Sequence, residues 1–217
     1  MAPNPETTKQ RLISAAEQLF AERGIGAVSL REINAAAGQR NATALQYHFR
    51  DRYGLVVAIL AKHNVSVEQH RHQLLDEYEA RDGDRLRDLA AALVVPSARK
   101  LSDPDGGRHY LRIHSEVVNY PEPRFDERTN DITDSITRWR LLVGPLLPEV
   151  AVRRLHHRFT AIRVSATELA RRAAARPHRD DQLFTSHLVD LVTALLAAPV
   201  SEETAGLLAE RAGSRRT

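Results

Sequence analysis

Between Arg40 and His48 the chain sets Arg40, Asn41, Thr43, Gln46, Tyr47 and His48 around one clearly apolar residue, Leu45. On a short helix such an anchor faces inward and leaves a row of donors and acceptors outside. That chemistry can distinguish base pairs, because a major groove admits one α-helix and presents patterns that Arg, Asn, Gln and Thr match. Arg50 and Arg52 follow with only Asp51 opposing them, where contacts to a phosphate backbone would position the helix. Taken alone, the same polar residues also describe a solvated face, so the neighbouring elements carry the decision.

Those elements are well marked. Ser29 and Glu32 form a capping box, which predicts a helix from Leu30 with Leu30, Ile33 and Ala37 on one face. Gly38 suits a left-handed stop, and Asn41 is placed to cap a reading helix over 42 to 48. Upstream, residues 1 to 6 read as a loose arm, and Thr7 with Gln10 reads as another capping box. The helix it opens carries Leu12, Ile13, Ala16, Leu19 and Phe20 on one stripe and stops at Gly24. Ile25, Val28, Ile33, Leu45 and Phe49 complete a small shared core. Asp51 caps a long fourth helix that runs toward the turn Asp82-Gly83-Asp84.

The run from Thr7 to Leu55 resembles the DNA-binding domain of TetR-family transcriptional regulators. The resemblance rests on TTKQRLISAAEQLFAERG, SLREINAAAG, LQYHF and RDRYGL. It departs from the family pattern by one extra residue in the turn, at Gln39 or Arg40, and lacks the usual apolar turn residue. By this resemblance Arg52 takes a phosphate, and the second half of the chain binds a small effector. The base-reading candidates are then Arg40, Asn41, Thr43 and Gln46, and the phosphate candidates are Tyr47, His48, Ser29 and Arg52.

Beyond the fourth helix, Leu86, Leu89, Ala90 and Leu93 form a stripe that Pro96 should kink or end. Tyr110, His114, Tyr120 and Trp139 are the candidates for a ligand cavity, since pockets combine aromatic walls with a few polar handles. At helical spacing the same residues also serve as plain core. A helix from about Glu149 to Arg176 places Leu155, Phe159, Ile162, Ala166 and Leu169 on a seven-residue repeat, which calls for partner helices. A second, over about 180 to 197, adds Phe184, Leu188, Leu191 and Leu195. Paired across a two-fold axis these form a four-helix interface; the alternative is packing within one chain.

His63, His70 and His72 make a poor metal site, because no carboxylate shares the face of His63 and His70. No catalytic residue, metal or cofactor is expected, since the chain has no Gly-rich phosphate loop, GxSxG or HExxH. Cysteine is absent, and no apolar run approaches a membrane span, so a cytoplasmic protein that does not contact membranes is expected. Net charge is +3, and of 31 basic residues only Lys9, Lys62 and Lys100 are lysine, which favours bidentate contacts to phosphate and bases. The expectation is an all-α, homodimeric, ligand-responsive repressor binding double-stranded DNA. It has a three-helix helix-turn-helix domain over residues 1–50 and a larger helical domain for dimerisation and effector over residues 51–217. The alternative is a helical small-molecule-binding or scaffolding protein without sequence-specific DNA binding.

Overall fold

The computed structural model describes residues 5–39, 43–81, 85–120 and 134–213, which form eleven α-helices and no strand. Helix α1 spans Pro5–Arg23, α2 Leu30–Ala36, α3 Thr43–Phe49 and α4 Arg52–Glu79. The start of α1 differs from expectation. Thr7 lies inside the first turn, and Pro5 opens the helix, where its missing N–H costs nothing. The capping box at α2 forms as expected: Ser29 N–H donates to Glu32 Oε2 at 2.8 Å, and Glu32 N–H donates to Ser29 Oγ at 3.2 Å. Gly38 takes the left-handed conformation, with φ 67°.

The turn from α3 into α4 has a requirement that the helical pattern does not reveal. Arg50 adopts a left-handed φ of 66°, and Asp51 accepts the Gly54 N–H at 2.8 Å. A Cβ at Gly54 would lie 1.9 Å from the Phe49 carbonyl oxygen, so only hydrogen fits there. Leu12, Ala16, Phe20, Val28, Ile33, Leu45, Phe49 and Leu55 then close one core beneath α3.

The larger half continues with α5 (Leu86–Ala98), α6 (Gly107–Asn119), α7 (Asp134–Val143), α8 (Glu149–Arg153), α9 (His157–Ala174), α10 (Gln182–Leu196) and α11 (Glu202–Gly213). Helix α6 packs on α9 and α1, and α10 packs on α5. Pro96 does not end α5, which runs on to Ala98. Lacking an N–H, Pro96 leaves the carbonyl of Ala92 without its helical donor. The buried Arg71 of α4 supplies that donor, with Nε 3.1 Å from Ala92 O. The C-terminal turn of α9 has a similar solution. Arg108 donates to the carbonyls of Arg172, Ala173 and Ala175 at 2.8, 3.1 and 2.8 Å.

The single helix expected over 149 to 176 is two. It breaks at His156, which takes a left-handed φ of 56°. Leu155 therefore sits in the break and does not begin a continuous stripe.

Candidate functional site

Helix α3 sorts its residues by period. Leu45 and Phe49 are buried, while Gln46 and Tyr47 are exposed, Tyr47 at 85%. His48 is half-buried, its ring edge-on to Tyr47. Arg40 and Asn41 lie outside the described residues, and Thr43 is the first residue of α3. Lys9 of α1 and Arg50 border the same shallow groove as Gln46, Tyr47 and His48, so the cations flanking α3 come partly from another element. The sequence reading omitted Lys9, whose only signal is a cation in the early turns of α1.

Two phosphate candidates are placed differently from a free, outward group. The Ser29 hydroxyl donates to Glu32 Oε2 at 2.7 Å, so its proton is committed to the cap. Those hydrogen bonds, with Arg23 2.7 Å from Glu32, hold the exposed Glu32 carboxyl down to about 2. Arg52 turns toward the loop before α2, with Nη1 3.4 Å from Gly26 O.

A cavity of about 380 Å³ lies between α4, α5, α6, α7 and α9. Tyr110 and His114 line it, with ring centroids 5.5 Å apart. The Tyr110 hydroxyl donates to Asn64 Oδ1 at 2.8 Å, and burial raises its pKa above the usual phenol value. Burial, reinforced by the Arg71 charge, lowers His114 to about 4, so the imidazole is neutral at pH 7.

Two of the expected wall residues are elsewhere. Trp139 is fully buried in the core, its Nε1–H donating to Leu89 O at 2.7 Å, because the indole fills the space between α7 and α5. Tyr120 is 75% exposed where α6 ends. The polar groups that the sequence reading missed come mainly from α4: Asn64, Glu68 and Arg71, spaced by 4 and 3 and sharing a face with Leu60 and Val67. Charged residues on an apolar stripe were the available signal. Arg71 Nη1 donates to Ser135 Oγ at 2.8 Å and meets Glu68 Oε1 at 3.2 Å; Glu68 Oε2 accepts the Ser135 N–H at 2.8 Å.

Folding also pairs a histidine that the sequence left without a carboxylate. His63 Nε2 lies 2.5 Å from Glu17 Oε1 of α1, and Lys62 reaches the other oxygen at 3.1 Å. Among the described residues no group of three or more His, Cys, Asp or Glu could hold a metal ion. No described helix is long and apolar enough to cross a membrane.

Residues 12–59 match the family model for bacterial regulatory proteins of the tetR family. The match runs from within α1 into the first turns of α4. No curated protein matches the sequence. Solved structures share the fold. One is a tetR-family regulatory protein from Rhodococcus RHA1, at 20% identity and TM-score 0.57, covering 88% of this chain and 98% of that one. Another is a HlyIIR mutant protein, at 17% identity and TM-score 0.57, covering 92% of this chain and 100% of that one. A third is AmtR of Mycobacterium smegmatis, at 18% identity and TM-score 0.56, covering 94% of each chain.

The expected interface residues divide. Leu169 and Leu188 are 1% and 2% exposed, because α9 and α10 bury them within the chain, so they are not available to a partner. Phe159 and Ile162 line the cavity. Phe184 lies under the Arg172 guanidinium, 5.1 Å from its ring centroid, and Leu195 is half-buried. Leu183 and Leu191, eight residues apart on α10, remain outward at 83% and 48% exposure.

Proposed function

We propose that this protein is a TetR-family regulator, a cytoplasmic repressor that binds an inverted-repeat operator as a homodimer and is released by a small molecule held in the cavity. Each subunit presents α3 to a major groove, with Gln46 reading bases and Tyr47, His48, Lys9 and Arg50 close to the backbone. The resemblance adds Arg40, Asn41 and Thr43 to the base-reading set. Two-fold pairing through the outward face of α10, around Leu183 and Leu191, sets the two heads about 34 Å apart or a multiple of it. Residues 1–50 form the reading unit and 51–217 the sensing and pairing unit.

One helix carries the coupling between these units. Tyr110 and His114 of α6 line the cavity, and Glu116 lies two residues on, toward the opposite face. Both Glu116 oxygens accept the Ile25 N–H, each at 3.1 Å, in the loop that leads into α2. A ligand that shifts α6 therefore moves the support of the helix-turn-helix. A coupling of roughly 1 to 3 kcal/mol lowers operator occupancy about 5- to 150-fold.

The test is selection of bound duplexes from a random pool at about 150 mM salt, where a charge is screened beyond about 8 Å. One inverted repeat should be enriched. A folded protein that enriches nothing would leave a helical binding protein without sequence-specific DNA recognition.

A further inference from the structure

The charges on the cavity wall are unequal. Arg71, Arg140 and Arg163 line it, and Glu68 is its one carboxylate among the described residues. Both Glu68 oxygens are engaged, one by Arg71 and the other by the Ser135 N–H. The arginines keep donors in reserve. Arg71 Nη2 has no hydrogen-bond partner among the described residues, since Nε is on Ala92 O and Nη1 on Ser135 and Glu68. Arg140 uses only Nη2, on Thr137 Oγ1 at 3.2 Å, and lies 5.6 Å from the Phe159 ring centroid. Arg163 is exposed and makes no hydrogen bond to any described residue. The rest of the wall is largely apolar, including Leu60, Val67, Leu93 and Ile136.

A neutral apolar ligand would leave these guanidinium groups facing it without a partner, and a cation would meet a net positive wall whose one carboxylate is already paired. An anion gains charge-assisted hydrogen bonds, strengthened where walls exclude water. We propose that the cavity binds an amphipathic organic acid, a carboxylate on an aryl or alkyl body, held by the free guanidinium donors of Arg71, Arg140 and Arg163. The binding chemistry rests on this wall alone; the acid's role as effector rests on the regulatory reading above.

The experiment is calorimetric titration of the full chain with 4-butylbenzoate and decanoate, against 4-butylbenzamide, decanol and 4-butylbenzylamine. The acids should bind at least about tenfold more tightly than their neutral or cationic counterparts. Arg140→Gln with Arg163→Gln, on the less buried side of the wall, should remove most of that preference, through weaker binding of the acids. A melting curve will show that the double variant is folded. Equal or tighter binding of the amide or amine overturns the proposal, as does no binding of either acid at millimolar concentration or an undiminished preference in the double variant. Operator affinity measured with each probe separates the two readings. Acid binding that leaves DNA affinity unchanged sinks the effector role and not the acid site, whereas DNA release by the amine alone sinks the acid site and not the effector role.

Discussion

The proposed reading head and the proposed sensing cavity are built by opposite means. Around α3 the candidate groups sit on the outside of one short helix, and the residues that anchor it are apolar: Leu45 and Phe49 point in, Gln46 and Tyr47 point out. In the cavity the candidate groups sit inside, contributed by five helices, and several buried ones are tied into the fold: Tyr110 to Asn64, and Arg71 to Ala92, Ser135 and Glu68. The head can therefore exchange its surface residues without losing its fold. Arg71 and Glu68 tie α4 to α5 and α7 as well as line the cavity.

The largest effect that separates the two should come from Phe49→Ala, which removes an aromatic ring from beneath α3 and should cost about 3 to 5 kcal/mol. A melting temperature within a degree of wild type would contradict the placement. Next is a double-mutant cycle on the cavity wall. Arg71→Met leaves the Ala92 carbonyl without a donor and should cost about 1 to 3 kcal/mol for that group alone. In a Pro96→Ala background residue 96 regains its N–H and can satisfy Ala92, so the same substitution should cost measurably less. Equal costs in both backgrounds, by denaturant titration, would show that Arg71 does not serve the proline's orphaned carbonyl.

A smaller effect, on function rather than folding, is expected at the junction. Glu116→Ala removes the acceptor of the Ile25 N–H and should weaken operator binding by about 1 kcal/mol, without altering which sequence is selected. A change in the selected sequence would place Glu116 in base recognition.

The smallest is a pH effect. In the folded chain His114 sits near 4 against 6.5 when free, so the unfolded state takes up the extra proton. Its contribution to stability is present above about 6.5 and is lost as pH falls toward about 4. Around it stand Arg71 and Glu68 from α4, Tyr110 from its own helix, and Arg140 and Arg163 from α7 and α9. His114→Gln should flatten the fall in melting temperature over that window; an unchanged slope would mean that other groups set it.

How much could be read from the sequence follows the same division. The head was legible because its signals are local: a capping box at Ser29 and Glu32, a glycine at position 38, and a period that buries Leu45 and Phe49. The reserved space at Gly54 was not, since it depends on how closely two helices meet. In the larger half, helical stripes found Tyr110 and His114 but could not tell a cavity wall from a core, and Trp139 fell on the core side. The division at His156 had no glycine or proline to announce it. Arg71 pairs with a carbonyl 21 residues away that only a proline on another helix makes available, a dependence outside any local pattern.

The most direct test of the account is duplex selection repeated with Gln46→Ala. If α3 reads bases, the variant should still enrich the same inverted repeat but lose preference at one symmetric pair of positions, at a cost of about 1 to 3 kcal/mol on the wild-type site. Equal weakening on selected and random DNA would remove Gln46 from recognition and contradict the placement of α3 in the groove.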